Sequence, residues 1–489
     1  MNAQKILLSL LLLPGLYFLT SCRNNVENMP EKAGILNYVE ISKDNPAYFQ
    51  LSDGTPYVPI GINMINPNSP VNHPDSAMME VESWMKKLAE NGGNYVRIWL
   101  SQSFWDMEHE KAGEYDPEKI KRIDWFIKTA RKYGLRIKMT FEHFRSVTLE
   151  ENPQGWATKS VYHTSEGGPL QNIGEYITTE AGHKLFLDKL DFYQERYGSD
   201  TVFFGWELWN EMNAMRGPED SAFFAWNEMM LDETKKRFPE NLVMQSLGSF
   251  DREDVRDTYR RMMELPGNEV AQIHRYLDLG ANMEICHAPM DIITSSAIDE
   301  LLSYNPGKPS ILAETGGVEP RHTGPIRYYK VDTAGILLHD VLFAPFFSGS
   351  AGAGMNWHWN AYVDPNDLWY HFGRFASAVK GINPISEQFL PVKIETDIFR
   401  IYMLKGKVST LIWIRDKNNT WRSELEAGLP PQTIRGAFIG LDELKIDAMP
   451  GTIRIYDPWK DRWSETELEE NRILFPDFKR SLVLKMQQE

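Results

Sequence analysis

A (β/α)8 barrel followed by a small all-β domain is the fold this sequence predicts. Three observations predict it. Eight strand-like apolar runs alternate with amphipathic helical stretches between residues 57 and 359. Two of those runs end in a glutamate, as Gly205-Trp206-Glu207-Leu208-Trp209-Asn210-Glu211 and Ser310-Ile311-Leu312-Ala313-Glu314. Beyond Asn383-Pro384 the rhythm changes to short β-branched and aromatic runs with turn residues between them.

The eight runs are Tyr57–Met64, Asn94–Leu100, Leu135–Phe141, Val202–Leu208, Leu242–Leu247, Val270–Arg275, Pro309–Ala313 and Gly354–Trp359. Amphipathic stretches such as Met78–Glu90, Lys119–Tyr133, Ala222–Phe238 and Thr294–Ser303 lie between them. A doubly wound sheet is the competing fold. It usually announces a glycine-rich phosphate turn after its first strand, and none follows Gly61-Ile62-Asn63. Leu36–Gly54 reads as a hairpin under the barrel floor. The long polar loops Phe104–Asp116 and Arg145–Gly174 follow the second and third strands, where they would wall a cleft. The barrel is expected over residues 36–383 and the β domain, a sandwich that braces the barrel or else binds glycan, over 384–489.

The N-terminus reads as an address rather than as fold. Lys5 precedes the apolar run Ile6–Leu13, and Leu19-Thr20-Ser21-Cys22 resembles a bacterial lipobox. That resemblance implies a signal segment over residues 1–21, cleavage before Cys22, lipid on Cys22 and a polar tether over 22–35. The protein is then expected on the cell envelope, at the outer membrane or cell surface, held by its acyl chains. An ordinary signal peptide with an incidental cysteine is the alternative. The other cysteine, Cys286, then has no intrachain partner and reads as a buried, inert thiol.

The formal net charge of −16 argues against a nucleic-acid partner, whose phosphates need a basic surface. It argues less strongly against acidic sugars, because a local basic patch could still bind them. No zinc-type Cys/His spacing occurs, and neither a metal nor a cofactor is expected. Fifteen tryptophans supply flat apolar platforms that suit sugar rings as well as a core. A monomer acting on an oligo- or polysaccharide is expected.

A charge is expensive to bury, so an acid at the mouth of a buried strand is either paired or at work. Two such acids on one domain are the minimum equipment for glycosidic bond hydrolysis. One protonates the leaving oxygen, and the other attacks or activates water. In a barrel such groups come from the C-terminal ends of different strands. Asn63, Arg97, His143, Asn210, Glu211, Glu314 and Trp357 fall at such ends, one or two to a strand.

Taken in order, these residues make the chain resemble the clan A glycoside hydrolases, and most of all glycoside hydrolase family 5. The likeness covers roughly residues 49 to 380. It rests on Asn210-Glu211 ending strand four, Glu314 ending strand seven, Arg97 on strand two, His274-Arg275-Tyr276 on strand six and Trp357 on strand eight. Met212 stands where the family carries a proline. The resemblance implies a retaining β-glycosidase working by double displacement on a neutral β-linked glycan of the mannan or glucan type. Glu211 would be the acid/base, with a raised pKa, and Glu314 the nucleophile. Arg97 and Tyr276 would hold Glu314, and Asn210 would bond the sugar 2-hydroxyl. His143 and His274 would be polar walls, and Trp357 the floor of the subsite for the cleaved sugar. Trp359 and His358 compete with Trp357 for that position, and Glu207 competes with Glu314 for Arg97. A glycan-binding lipoprotein on a barrel that lost its chemistry, and a transglycosylase using the same residues, are the other readings.

Overall fold

The computed structural model describes residues 37–69, 72–153, 155–215, 219–446 and 449–488. The expected signal segment, Cys22 and the tether lie outside the described residues. The molecule is a (β/α)8 barrel with a separate antiparallel all-β region at its C-terminal end. No helix among the described residues is long and apolar enough to cross a membrane.

Five parallel strands form most of the barrel wall: β1 (Gly61–Asn63), β2 (Tyr95–Trp99), β3 (Arg136–Glu142), β4 (Phe203–Trp209) and β5 (Leu242–Met244). Two more, β6 (Ala271–His274) and β7 (Ser310–Glu314), pair in parallel with each other. All seven are buried along their whole length. That explains why they read as continuous apolar runs rather than as alternating ones.

Helices cover the outside. Helix α1 spans Pro74–Glu90 and α2 spans Pro117–Tyr133. Each opens on a proline, whose missing N–H would be unsatisfied there anyway. Asp116 caps α2 by accepting from Glu118 N, and Gly134 ends it at φ 71°.

Where an eighth strand is expected over Gly354–Trp359, the chain makes only isolated bridges. Asn356 pairs with Ile62 on one side and with Thr315 on the other, and this closes the barrel. The approach, Ser348 to Gly354, is glycine- and alanine-rich and lacks the β-branched residues that favour a regular strand. Beyond it the chain winds into a helical turn over Trp359–Val363.

The N-terminal segment forms a three-stranded antiparallel sheet of Val39–Ile41, Phe49–Leu51 and Pro56–Tyr57, one strand more than a hairpin. It sits at the base of the barrel. Phe49 and Tyr95 both pack edge-on against Phe204, with ring centroids 5.1 Å apart in each pair.

The C-terminal region has two sheets. Six strands order as Leu390–Glu395, Phe399–Lys405, Ser409–Asp416, Ser481–Gln488, Pro450–Asp457 and Arg462–Thr466. A three-stranded sheet that includes Phe438–Gly440 and Arg472–Leu474 covers one face. The strand period of two sorts the side chains. Phe399, Ile401, Met403, Ile412 and Ile414 fill the core between the sheets. Tyr402, Leu404, Leu411 and Trp413 face the other way, into the barrel's own core. Helix Ile336–Phe347 is trapped between the two, so all twelve of its residues are buried. Buried ion pairs stitch the contact: Arg400 holds Asp291 at 2.5 and 2.8 Å, and Arg415 holds Asp340 at 2.9 and 3.3 Å.

Candidate active site

At the C-terminal end of the barrel strands lies a cavity of about 770 Å³. Its walls include Asn210, Glu211, Tyr276, Glu314 and Trp357. Barrel geometry brings these residues together although they are far apart in sequence, because each sits at or just past the end of a strand.

Glu211 follows β4 in the left-handed conformation, with φ 52° and ψ 47°. A non-glycine residue held there stores strain, of order 1–3 kcal/mol, which the surrounding fold must impose. Glu314 is the last residue of β7 and is 2% exposed. The chain then turns sharply at Gly316, where φ is 135° and an added Cβ would lie 2.6 Å from the Tyr329 hydroxyl. Only glycine fits this close approach.

The two glutamates and His274 form one cluster, with polar atoms all within 4.8 Å of one another. His274 Nδ1 lies 3.0 Å from Glu211 Oε1 and 3.5 Å from Glu314 Oε2. The Tyr276 hydroxyl donates to Glu314 Oε2 at 2.8 Å, and Arg97 Nη1 donates to Glu314 Oε1.

Arg97 is the hub of the floor. Its Nε donates to Glu207 at 2.8 Å, its Nη1 also to Asn63 Oδ1 at 3.2 Å, and its Nη2 to Asn210 Oδ1 at 2.8 Å. Both competing partners, Glu207 and Glu314, are therefore bound at once. Glu207 is fully buried and also takes Lys138 at 3.2 Å. Burial pushes its carboxyl up, but Arg97 and Lys138 outweigh that and hold it well below the ordinary range.

The residues expected to bind substrate divide into two groups. Asn210, Tyr276 and Trp357 line the cavity. Arg97 and His274 are buried behind it, and their bonds run to the carboxylates instead. His143 is not on this wall at all. Its ring stacks on Trp99 at 5.0 Å, its Nδ1 lies 2.7 Å from the Ser101 hydroxyl, and it faces a neighbouring depression. Burial lowers its pKa to about 3. Trp357 packs against Trp99 with centroids 5.0 Å apart. His358 also lines the cavity, whereas Trp359 packs into the core against Trp84. Cys286 is buried, and burial lifts its thiol to about 12.

The Glu211 carboxyl departs from the raised pKa expected of it. Burial pushes it up, but the His274 hydrogen bond and the charge of Arg145 outweigh burial and hold it down at about 2. Arg145 donates from Nη2 to Glu211 Oε2 at 2.6 Å. It comes from the long loop after β3, and its guanidinium lies 4.5 Å from the centroid of Trp156, which is 49% exposed at the rim.

Sequence reasoning missed Arg145 and Trp156. Their signal was available, because they sit in a loop already recognised as a wall. It also missed Asp251 and His322 on the opposite wall. These two join Asp278 in a cluster with polar atoms within 4.8 Å of one another, from three separate segments of the chain. Nothing in local spacing pointed to that cluster.

A family model described as cellulase (glycosyl hydrolase family 5) matches residues 60–335. A mannan endo-1,4-beta-mannosidase of Solanum lycopersicum is 21% identical over 255 residues, 48% of this chain and 60% of the relative. The chain thus spans about 60% of the length of the curated relatives it matches. Among solved structures, a glycoside hydrolase family 5 protein from Bacteroides vulgatus ATCC 8482 aligns with a TM-score of 0.57 at 12% identity, covering 92% of this chain and 93% of that one. An exo-beta-1,4-mannosidase from Opitutaceae bacterium strain TAV5 aligns with a TM-score of 0.50 at 17% identity, covering 69% and 62%. At such identities the structural likeness speaks to fold alone. The family model covers more than half of the chain, and the chain belongs to glycoside hydrolase family 5.

Proposed function

We propose that this protein is a retaining β-glycoside hydrolase that cleaves a neutral β-linked glycan by double displacement, with Glu211 as acid/base and Glu314 as nucleophile. One observation carries the reading: Glu211 and Glu314 both line the cavity, and with His274 behind them they form a cluster with polar atoms within 4.8 Å of one another. Retention needs carboxyl groups ~5–5.5 Å apart, whereas inversion needs ~6.5–9.5 Å to admit a water.

In this reading the sugar enters the cavity and displaces Arg145 from Glu211. Losing that charge raises the Glu211 pKa, and Glu211 takes up a proton. The Glu314 carboxylate attacks the anomeric carbon as Glu211 gives that proton to the leaving oxygen, and a covalent glycosyl ester forms. Water, losing a proton to Glu211, attacks the same carbon, and the ester bond to Glu314 breaks. Arg97 and Tyr276 keep Glu314 aimed, and His274 keeps Glu211 aimed. The bond from Arg97 to Asn210 Oδ1 leaves the Asn210 amide NH2 for the sugar 2-hydroxyl.

For the substrate, β-1,4-mannan is favoured over β-glucan, because the relatives named above are a mannan endo-1,4-beta-mannosidase and an exo-beta-1,4-mannosidase. For the address, the residues before the barrel support an exported lipoprotein anchored through Cys22 to the cell envelope.

A reducing-sugar screen on soluble β-mannan and β-glucan, with product sizes and NMR of the first-formed anomer, tests the reading. Release of β-anomers from mannan is expected. First-formed α-anomers would overturn retention, and no cleavage of any β-glycan would overturn the hydrolase.

A further inference from the structure

We propose that the depression beside the cleft is a second binding site, which takes the carboxylate of a hexuronic acid carried by the glycan. The depression has a volume of about 620 Å³ and lies between the loops that follow β2 and β3. Besides the neutral His143, four basic side chains reach it: His109, Lys119, Arg122 and Lys159. Its two acids are already engaged. Asp106 is held by Lys159. Asp116 is held by His109 at 2.9 Å and caps helix α2 through Glu118 N at 2.8 Å.

Lys119 and Arg122 have no such acid, although the Arg122 guanidinium lies 4.7 Å from the Phe104 ring centroid. They stand one turn apart on α2, and among the described residues neither has a carboxylate within ion-pair distance. Among the described residues their acceptors are backbone carbonyls: Lys119 Nζ donates to Ser103 O and, at 3.5 Å, to Phe104 O, and Arg122 Nη1 donates to Phe104 O at 3.1 Å. Lys119 is 6% exposed. Two neighbouring cations, one of them buried, repel each other in a medium that screens poorly. Burial and the charge of Arg122 lower the Lys119 pKa despite the opposing pull of Asp106 and Asp116, so the repulsion is only partly offset. A bound anion would relieve it.

The surroundings favour a sugar as the carrier of that anion. Ser101, Gln102, Thr158 and Ser160 line the space and offer hydrogen bonds to hydroxyls. The cavity is far roomier than a small inorganic oxyanion needs. It also adjoins the cleft. Trp99 in the cleft wall stacks on His143 in the pocket wall, and Gly155 and Ala157 line the pocket on either side of Trp156 at the cleft rim. A formal charge of −16 over the whole chain would repel a polyuronide at long range, so occasional acidic residues on a neutral glycan fit better.

The inference deepens the glycan-hydrolase reading but is measured apart from it. The full chain is titrated with D-glucuronate, D-glucose and inorganic phosphate, with binding followed by NMR, in the wild type and in Lys119→Met and Arg122→Gln. Arg122→Gln retains a donor for the Phe104 carbonyl, so it tests the charge even if Lys119→Met fails to fold. We expect glucuronate to bind about tenfold or more tightly than glucose, and each variant to lose about that factor with hydrolysis of neutral glycan unchanged. Equal binding of glucose and glucuronate, or variants that bind glucuronate as the wild type does, would overturn the site. Phosphate binding as tightly as glucuronate would make it an inorganic-anion pocket and overturn the sugar assignment. Glucuronate binding by a protein that hydrolyses no glycan would support the pocket while sinking the reading of the cleft.

Discussion

Arg145 donates to Glu211 Oε2 at 2.6 Å while its guanidinium lies over Trp156, 4.5 Å from the ring centroid. A loop residue thus holds the proposed acid/base from above, while His274 holds it from within the barrel at 3.0 Å. Replacing Arg145 by Ala removes one of the groups that, with His274 and His322, keep Glu211 down at about 2, so its pKa rises. The acid must be protonated to work. The alkaline limb of kcat/KM against pH is therefore expected at higher pH in Arg145→Ala than in the wild type. A limb that stays in place, or moves to lower pH, would remove Arg145 from the control of Glu211.

Glu207 is the counter-charge for both Arg97 at 2.8 Å and Lys138 at 3.2 Å, all three fully buried. Glu207→Gln leaves two buried cations short of an anion and is expected to cost about 3–5 kcal/mol. The sign of the pH dependence follows from the lowered folded-state pKa. The carboxylate contributes stability above its unfolded pKa and loses it as pH falls toward the folded value. The gap between wild type and variant should therefore be full at neutral pH and narrow below about pH 4. Denaturant unfolding at several pH values measures it, and a gap that widens toward acid would refute the account.

Glu314→Gln is expected to abolish turnover while leaving the circular dichroism spectrum and thermal midpoint close to wild type. Glu211→Ala should be similarly slow. Azide should restore it in part with an activated substrate, because a small anion can stand in for the missing base in the second step. Azide rescue of Glu314→Gln but not of Glu211→Ala, with inverted product, would exchange the two assignments.

Cys22→Ala is expected to move the protein from membrane to soluble fractions with the barrel still active. Fractionation and an activity assay read this directly. A variant that remains on the membrane has some other anchor.

Much of this protein was decided within its sequence. Buried parallel strands must be apolar along their length, so β2 at Tyr95–Trp99 and β4 at Phe203–Trp209 announced themselves within a residue or so. The acids at the ends of β4 and β7 stood out because a charge after such a run is costly. The break at Asn383-Pro384 marked the change of architecture, since that Asn caps the short helix that begins at Pro384.

Tertiary structure decided the rest. It reduced the eighth strand to bridges at Asn356, because two neighbouring strands, not local propensity, settle how a barrel closes. It set His143 behind Trp99 and Trp156 and put Arg97 between Glu207 and Glu314, where sequence offered a choice. It set the Glu211 carboxyl low, through Arg145 from a loop and His274 from another strand. Electrostatics at a few ångströms depends on which distant residues the fold brings into contact, and spacing along the chain carries no record of that.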